Sequence, residues 1–167
     1  MRLNNVRLDA LSKTIQRIKA DPQARRKSTF LNARWSFLGS PQFKATIDNG
    51  ENKFELEADE AIEKGGEGKA PDPLSIFLFG VVSSFASTLV LTATLQGVVL
   101  NRLEIHARIQ TNELKTFGLS DEPIVESLEI KVSSDFDQLK ELVEVAKKRC
   151  ATIFSITNGV SVEVKVE

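Results

Sequence analysis

The 167-residue chain is poor in reactive and in bulky polar side chains: one cysteine, one histidine, one tryptophan, one methionine and no tyrosine. A single cysteine, Cys150, excludes an internal disulfide and any metal site built from several thiolates. The single histidine, His106, sits beside Glu104 and Arg108 on the polar side of an alternating stretch and reads as a surface imidazole; a lone histidine is weak evidence for a metal. Charge of one sign is also lacking. The net charge is −1, which argues against a broad nucleic-acid or membrane-surface footprint. Arg25-Arg26-Lys27 is a local basic cluster, and it reads as a solvated loop. The opening MRLNNVRLDALSK has no apolar core, so no signal peptide is expected and a cytoplasmic location is the default. No P-loop pattern appears, and no cofactor or metal is implied.

What is present is one long uncharged run, LSIFLFGVVSSFASTLVLTATL, residues 74–95. Its length satisfies a membrane span. Seven of its 22 residues are Ser or Thr, Gly80 interrupts it, and no Trp or Tyr belt flanks it. It is better read as a helix buried on nearly all sides, which in a small chain suggests burial against a second subunit.

Local patterns predict the rest. Leu11, Ile15 and Ile18 share one face of a helix over 9–20, capped by Asp9 and ended by Asp21-Pro22. Alternation predicts strands over 29–37, 42–47 and 54–58, with a turn at Gly39-Ser40-Pro41 and a hairpin signal at Asp48-Asn49-Gly50. Residues 59–70 form a glycine-containing loop; Glu57, Asp59, Glu60 and Glu63 read as a solvated acidic face, and Gly65, Gly66 and Gly68 as backbone freedom before a helix. Asp72 suits an N-cap, Pro73 the first helical position and Gly97 the C-terminal cap of the long helix. Strands are expected over 103–110 and 124–132. A helix capped by Ser134 or Asp135 should carry Phe136, Leu139, Val143, Ala146 and Cys150 on one face, and Val160, Val162, Val164 and Val166 should close the chain as a strand. The class is α+β, with antiparallel sheets around a long buried central helix.

The segment GGEGKAPDPLSIFLFGVVSSFASTLVLTATLQG resembles the signature of the OsmC/Ohr family: a Gly-Gly loop, a proline turn, a long central helix and a glycine stop. The preceding LEADE, the strand after Gly97 and a late helix ending KKRC are similar as well. The resemblance covers residues 28–167, and residues 1–27 resemble the N-terminal helical extension of some members. It implies an OsmC-like α+β fold and an intertwined homodimer with the long helices at its centre. It also implies thiol-dependent reduction of organic hydroperoxides in the oxidative stress response, a peroxiredoxin-like chemistry. Members attack with a cysteine in the central helix, activated by a glutamate after the proline turn and by an arginine from the N-terminal sheet, and resolve with a later cysteine. Laid on this chain, the motif puts Ser84 at the attacking position, Leu74 or Ser75 at the acid and Cys150 at the resolving position. Arg34 is a weak match for the arginine.

That substitution bears on the chemistry, because peroxide reduction by this route needs a thiolate that becomes a sulfenic acid. A serine hydroxyl forms no such species. A serine hydrolase would need an oriented base, and nothing brings His106 to Ser84. Cys150, read as ending a helix on its apolar face, should have its thiolate disfavoured by the helix dipole and by burial, with Lys147, Lys148 and Arg149 pushing the other way; it reads as a buried structural thiol. Three functions follow. One is an active hydroperoxide peroxidase. A second is a degenerate relative that keeps the dimer and binds a hydrophobic small molecule against Phe77, Phe79 and Phe85. The third is a one-cysteine thiol protein using Cys150. The second is favoured, without a nucleic-acid or membrane partner.

Overall fold

The computed structural model describes residues 1–166. The chain divides into two compact units: Asp9–Phe77, and Met1–Leu8 together with the chain from Leu78 onward. It is an α+β fold of small antiparallel sheets and helices.

In the first unit, α1 (Leu8–Ala20) leads through a 3-10 turn at Gln23–Arg25 to a sheet of β3 (Phe30–Trp35), β4 (Phe43–Asp48) and β5 (Lys53–Ala58), paired antiparallel in that order. The register puts Trp35 opposite Phe43 and Phe43 opposite Ala58, with Ala33, Ala45 and Leu56 in the next row but one. Alternation then gives one apolar face and one polar face carrying Asn32, Arg34, Lys44, Thr46, Glu55 and Glu57. Much of the apolar face is uncovered: Leu31, Trp35 and Phe54 are about half exposed.

The loop after β5 is organised by a buried carboxylate. Asp59 is 1% exposed. It accepts hydrogen bonds from Ser40 Oγ (2.5 Å) and from the N–H groups of Lys69 (2.9 Å), Gln42 (3.3 Å) and Glu67 (3.3 Å). The expectation of a solvated acidic face therefore fails at Asp59, which ties the turn before β4 to the glycine loop. Gly66 is sterically required there, since a Cβ would stand 1.8 Å from the Glu60 carbonyl oxygen.

The long helix α2 (Pro73–Leu95) starts as its caps predict. Asp72 accepts from the Leu74 and Ser75 N–H groups (3.0 and 3.1 Å) and from the Ser75 hydroxyl. It ends at Gly97, whose φ of +72° lets Val98 N–H reach the Ala93 carbonyl at 2.9 Å. The helix is not buried on all sides within one chain: Val81, Phe85, Leu89 and Ala93 are buried, whereas Phe77 and Phe79 are 45% and 73% exposed.

In the second unit, β6 (Leu103–Thr111) and β7 (Val125–Ser134) pair antiparallel, with Ile105 opposite Val132 and Ala107 opposite Ile130. Their apolar side packs on a core of Phe85, Leu89, Ala93, Leu142, Ala146 and Cys150. A short hairpin of β1 (Arg2–Leu3) and β2 (Val6–Arg7) is pinned to the end of α2 by one side chain. Asn4 donates to Val98 O (2.8 Å) and Thr94 Oγ1 (3.2 Å) and accepts from Leu100 N–H (2.8 Å).

Three expectations for the C-terminal third are corrected. Neither Ser134 nor Asp135 caps a helix: α3 spans Leu139–Arg149, and Asp135 instead accepts from the Asn101 side chain and from the N–H groups of Asn101 and Arg102. Those bonds, the Asn101 side chain foremost, hold the Asp135 carboxyl down at about 2. The late helix is two helices, α3 and α4 (Ala151–Asn158), which meet at Cys150. Residues 160–166 form no strand; Val162, Val164 and Val166 stand more than 80% exposed, without a sheet edge beside them to complete the ladder.

Candidate functional site

Ser84 lies mid-helix on α2 and Cys150 at the α3–α4 junction, 66 positions later, and the fold brings them together: Ser84 Oγ is 3.6 Å from Cys150 Sγ. Cys150 is fully buried. Its backbone is extended (φ −78°, ψ 120°), its N–H closes α3 on Ala146 O (2.9 Å), and its carbonyl accepts the Phe154 N–H (2.9 Å) that opens α4. Cys150 is thus the N-cap residue of α4 as well as the end of α3, which corrects the expectation of a thiol facing only a negative helix terminus.

The hydroxyl of Thr152 stands 3.2 Å from Cys150 Sγ and can also donate to Val81 O at 3.4 Å. Burial alone pushes the Cys150 thiol up. The Thr152 hydroxyl, the Ile153 N–H, the Ser84 hydroxyl and the Thr152 N–H together outweigh it and hold the thiol below its ordinary value. These contacts favour the thiolate, while the sulfur itself is buried in the core beside Phe85, Leu89 and Ala146, where a structural thiol is expected. Sequence reasoning missed Thr152, because the helical spacing through Ala146 and Cys150 hid the break that turns Thr152 back toward the sulfur.

A cavity of about 390 Å³ opens in the same unit on neighbours of the pair, although neither Ser84 nor Cys150 lines it. Phe85, which follows Ser84, and Ile153, whose N–H faces Cys150, line it with Leu128, Ile130, Val132 and Val143, and Lys147 and Thr157 add polar groups. Of the three phenylalanines expected to line a pocket here, Phe85 does so; Phe77 and Phe79 do not. At the start of α2, Leu74 and Ser75 are engaged with Asp72.

Arg34 belongs to the other unit. It lines a polar depression on the three-stranded sheet, cross-strand from Lys44, which pairs with Glu57 at 2.8 Å. A further cavity of about 380 Å³ lies on the apolar side of that sheet, between Leu31, Trp35 and Phe43 and the first turn of α2 at Pro73 and Ile76. His106 is exposed on β6 opposite Lys131. Among the described residues no cluster of His, Cys, Asp and Glu could hold a metal ion.

Residues 66–165 match the family described as OsmC-like protein. No curated protein matches the sequence. Solved structures share the fold. One is an organic hydroperoxide resistance protein OsmC from Legionella pneumophila, described as a predicted redox protein (TM-score 0.61, 19% identity, 81% of this chain and 93% of that one). A second is an OsmC-like protein from Mycoplasma pneumoniae (TM-score 0.59, 17% identity, 80% and 89%). A third is an organic hydroperoxide resistance protein from Elizabethkingia anophelis (TM-score 0.56, 18% identity, 80% and 90%).

Proposed function

Because the chain belongs to the OsmC-like protein family, with its stress-related hydroperoxide resistance proteins, we propose that it is a degenerate member of that group. It has lost the two-thiol peroxidase reaction and retains the fold as a binding protein for a hydrophobic small molecule. One observation carries this: an oxygen and a sulfur, Ser84 Oγ and Cys150 Sγ, face each other at 3.6 Å where the reaction requires two sulfurs. In that reaction a thiolate attacks the peroxide, the O–O bond breaks, an alcohol leaves and a sulfenic acid forms; a second thiol then displaces water to form a disulfide. Ser84 can take neither part. The cavity that begins at the next residue, Phe85, and is lined also by Ile130 and Ile153, with Glu144 and Lys147 as charged groups, has the size of a small-molecule site.

The protein acts as a cytoplasmic homodimer. Support comes from surface area: the single chain exposes 12779 Å², whereas a folded monomer of 18.5 kDa exposes about 8200 Å². An excess of that size fits an obligate interface.

A second reading is favoured by the thiolate-stabilising contacts of Cys150: a one-cysteine thiol protein, in which the sulfur attacks a hydroperoxide and an external thiol reduces the sulfenic acid. One assay separates the two. Consumption of an alkyl hydroperoxide with an external thiol is measured for the wild type, Cys150→Ala and Ser84→Cys. The degenerate reading expects turnover only in Ser84→Cys. Wild-type turnover that vanishes in Cys150→Ala selects the one-cysteine reading instead.

A further inference from the structure

The charge of the unit Asp9–Phe77 is segregated along its sequence. Residues 9–27 carry six cationic side chains against two carboxylates, and residues 48–67 carry eight carboxylates against two lysines. The near-zero net charge of the whole chain conceals this, and Arg25-Arg26-Lys27 is the tail of a longer basic segment that includes Lys13, Arg17 and Lys19.

Within one chain these two sets do not neutralise each other. None of the six cations forms an ion pair among the described residues, and neither do Glu51, Glu55, Glu63 and Glu67. Each segment also carries uncovered apolar side chains: Ile18 on α1 is 38% exposed, and in the acidic stretch Phe54, on the sheet face opposite Glu55 and Glu57, and Ile62 are 53% and 74% exposed. Exposed apolar side chains within two segments of opposite charge suit an interface. The excess exposed area calls for a partner, and a second copy presents both halves of the match.

We infer that the basic segment of one protomer docks on the acidic stretch of its partner, an inference that rests on the homodimer proposed above. Twofold symmetry repeats the contact, basic on acidic and acidic on basic, so a change in one side chain acts twice.

The test is the dimer dissociation constant, measured by analytical ultracentrifugation of the full chain. Three proteins are compared: the wild type, the arm-reversed variant Lys19→Glu/Arg26→Glu/Lys27→Glu, and that variant combined with Glu55→Lys/Glu63→Lys/Glu67→Lys. All six positions are exposed. At about 50 mM salt the arm-reversed variant is expected to dissociate at least about tenfold more readily, and the combined variant to recover, since reversal on both sides restores attraction. Near 1 M salt, where the screening length falls to about 3 Å, the differences should close. A dimer with the same dissociation constant in all three proteins overturns this inference but leaves the dimer standing, and it points the basic segment toward another anion, such as a nucleic acid or a lipid surface. A wild type that stays monomeric overturns both. Recovery in the combined variant guards against a loss that merely reflects misfolding.

Discussion

Ser84 Oγ and Cys150 Sγ stand 3.6 Å apart, in contact across α2 and the α3–α4 junction. Both groups are held from behind. The Cys150 backbone closes one helix and opens the next, and Ser84 follows the buried Val81 by one helical turn. The separation is thus a property of the core, and a change of atom at position 84 should convert it directly into redox chemistry.

Ser84→Cys is accordingly expected to form a disulfide with Cys150, because the two side-chain atoms already meet and small rotamer changes suffice to close a bond. After treatment with a hydroperoxide or diamide, both thiols should disappear from a denaturing thiol titration and return with reductant. Two titratable thiols surviving oxidation would show that the geometry is wrong.

The Cys150 thiol should titrate below a free cysteine despite its burial. The alkylation rate of the wild type against pH is expected to have a midpoint under that of a denatured control. Thr152→Val, which removes the nearest hydroxyl at 3.2 Å, should move it upward. The linkage has a definite sign. A depressed folded pKa means that the unfolded state binds more protons, so stability contributed by the thiolate rises as pH climbs from the folded value toward 9.0 and is fully present above it. Thr152→Val should flatten that rise in urea denaturation; an unchanged slope and midpoint would remove the role given to Thr152.

Asp59 predicts an acid limb of stability. The Ser40 hydroxyl and the Lys69 N–H hold its carboxyl below the ordinary value of 3.8 against the opposing effect of burial. Its contribution is therefore present above that value and lost as pH falls through the folded one. Asp59→Asn, which cannot accept all four bonds as an anion, should lower the melting temperature at neutral pH and melt with less pH dependence in the acid range. Parallel curves for the two proteins would contradict this.

Gly66→Ala should destabilise the fold by about 1–3 kcal/mol, the usual range for forced overpacking, because its Cβ would occupy the Glu60 carbonyl oxygen at 1.8 Å and backbone must move. Urea midpoints measure it. A loss within experimental error would mean the glycine loop rearranges freely and that Asp59 does not hold it.

Features specified by neighbours in the chain are legible in the sequence. Asp72-Pro73 and Gly97 mark the ends of α2, and apolar alternation marks the strands up to Ala58 and the β6–β7 pair, because caps and two-residue periods are local physics. The meeting of Ser84 with Cys150 follows from resemblance, since no spacing rule joins positions 66 apart. Val160 to Val166 alternate as a strand should, yet a strand also needs an edge, and alternation says nothing of whether one is in reach.

By itself, then, the sequence determined the strands of the first sheet, the β6–β7 pair, the caps of the long helix and the absence of a second sulfur. Tertiary structure alone decided that Asp59 is buried and bonded, that one helix becomes two at Cys150, and that Thr152 turns its hydroxyl to the thiol. The reason is physical: burial and pKa depend on groups that only folding assembles, whereas propensity and capping act within a few residues.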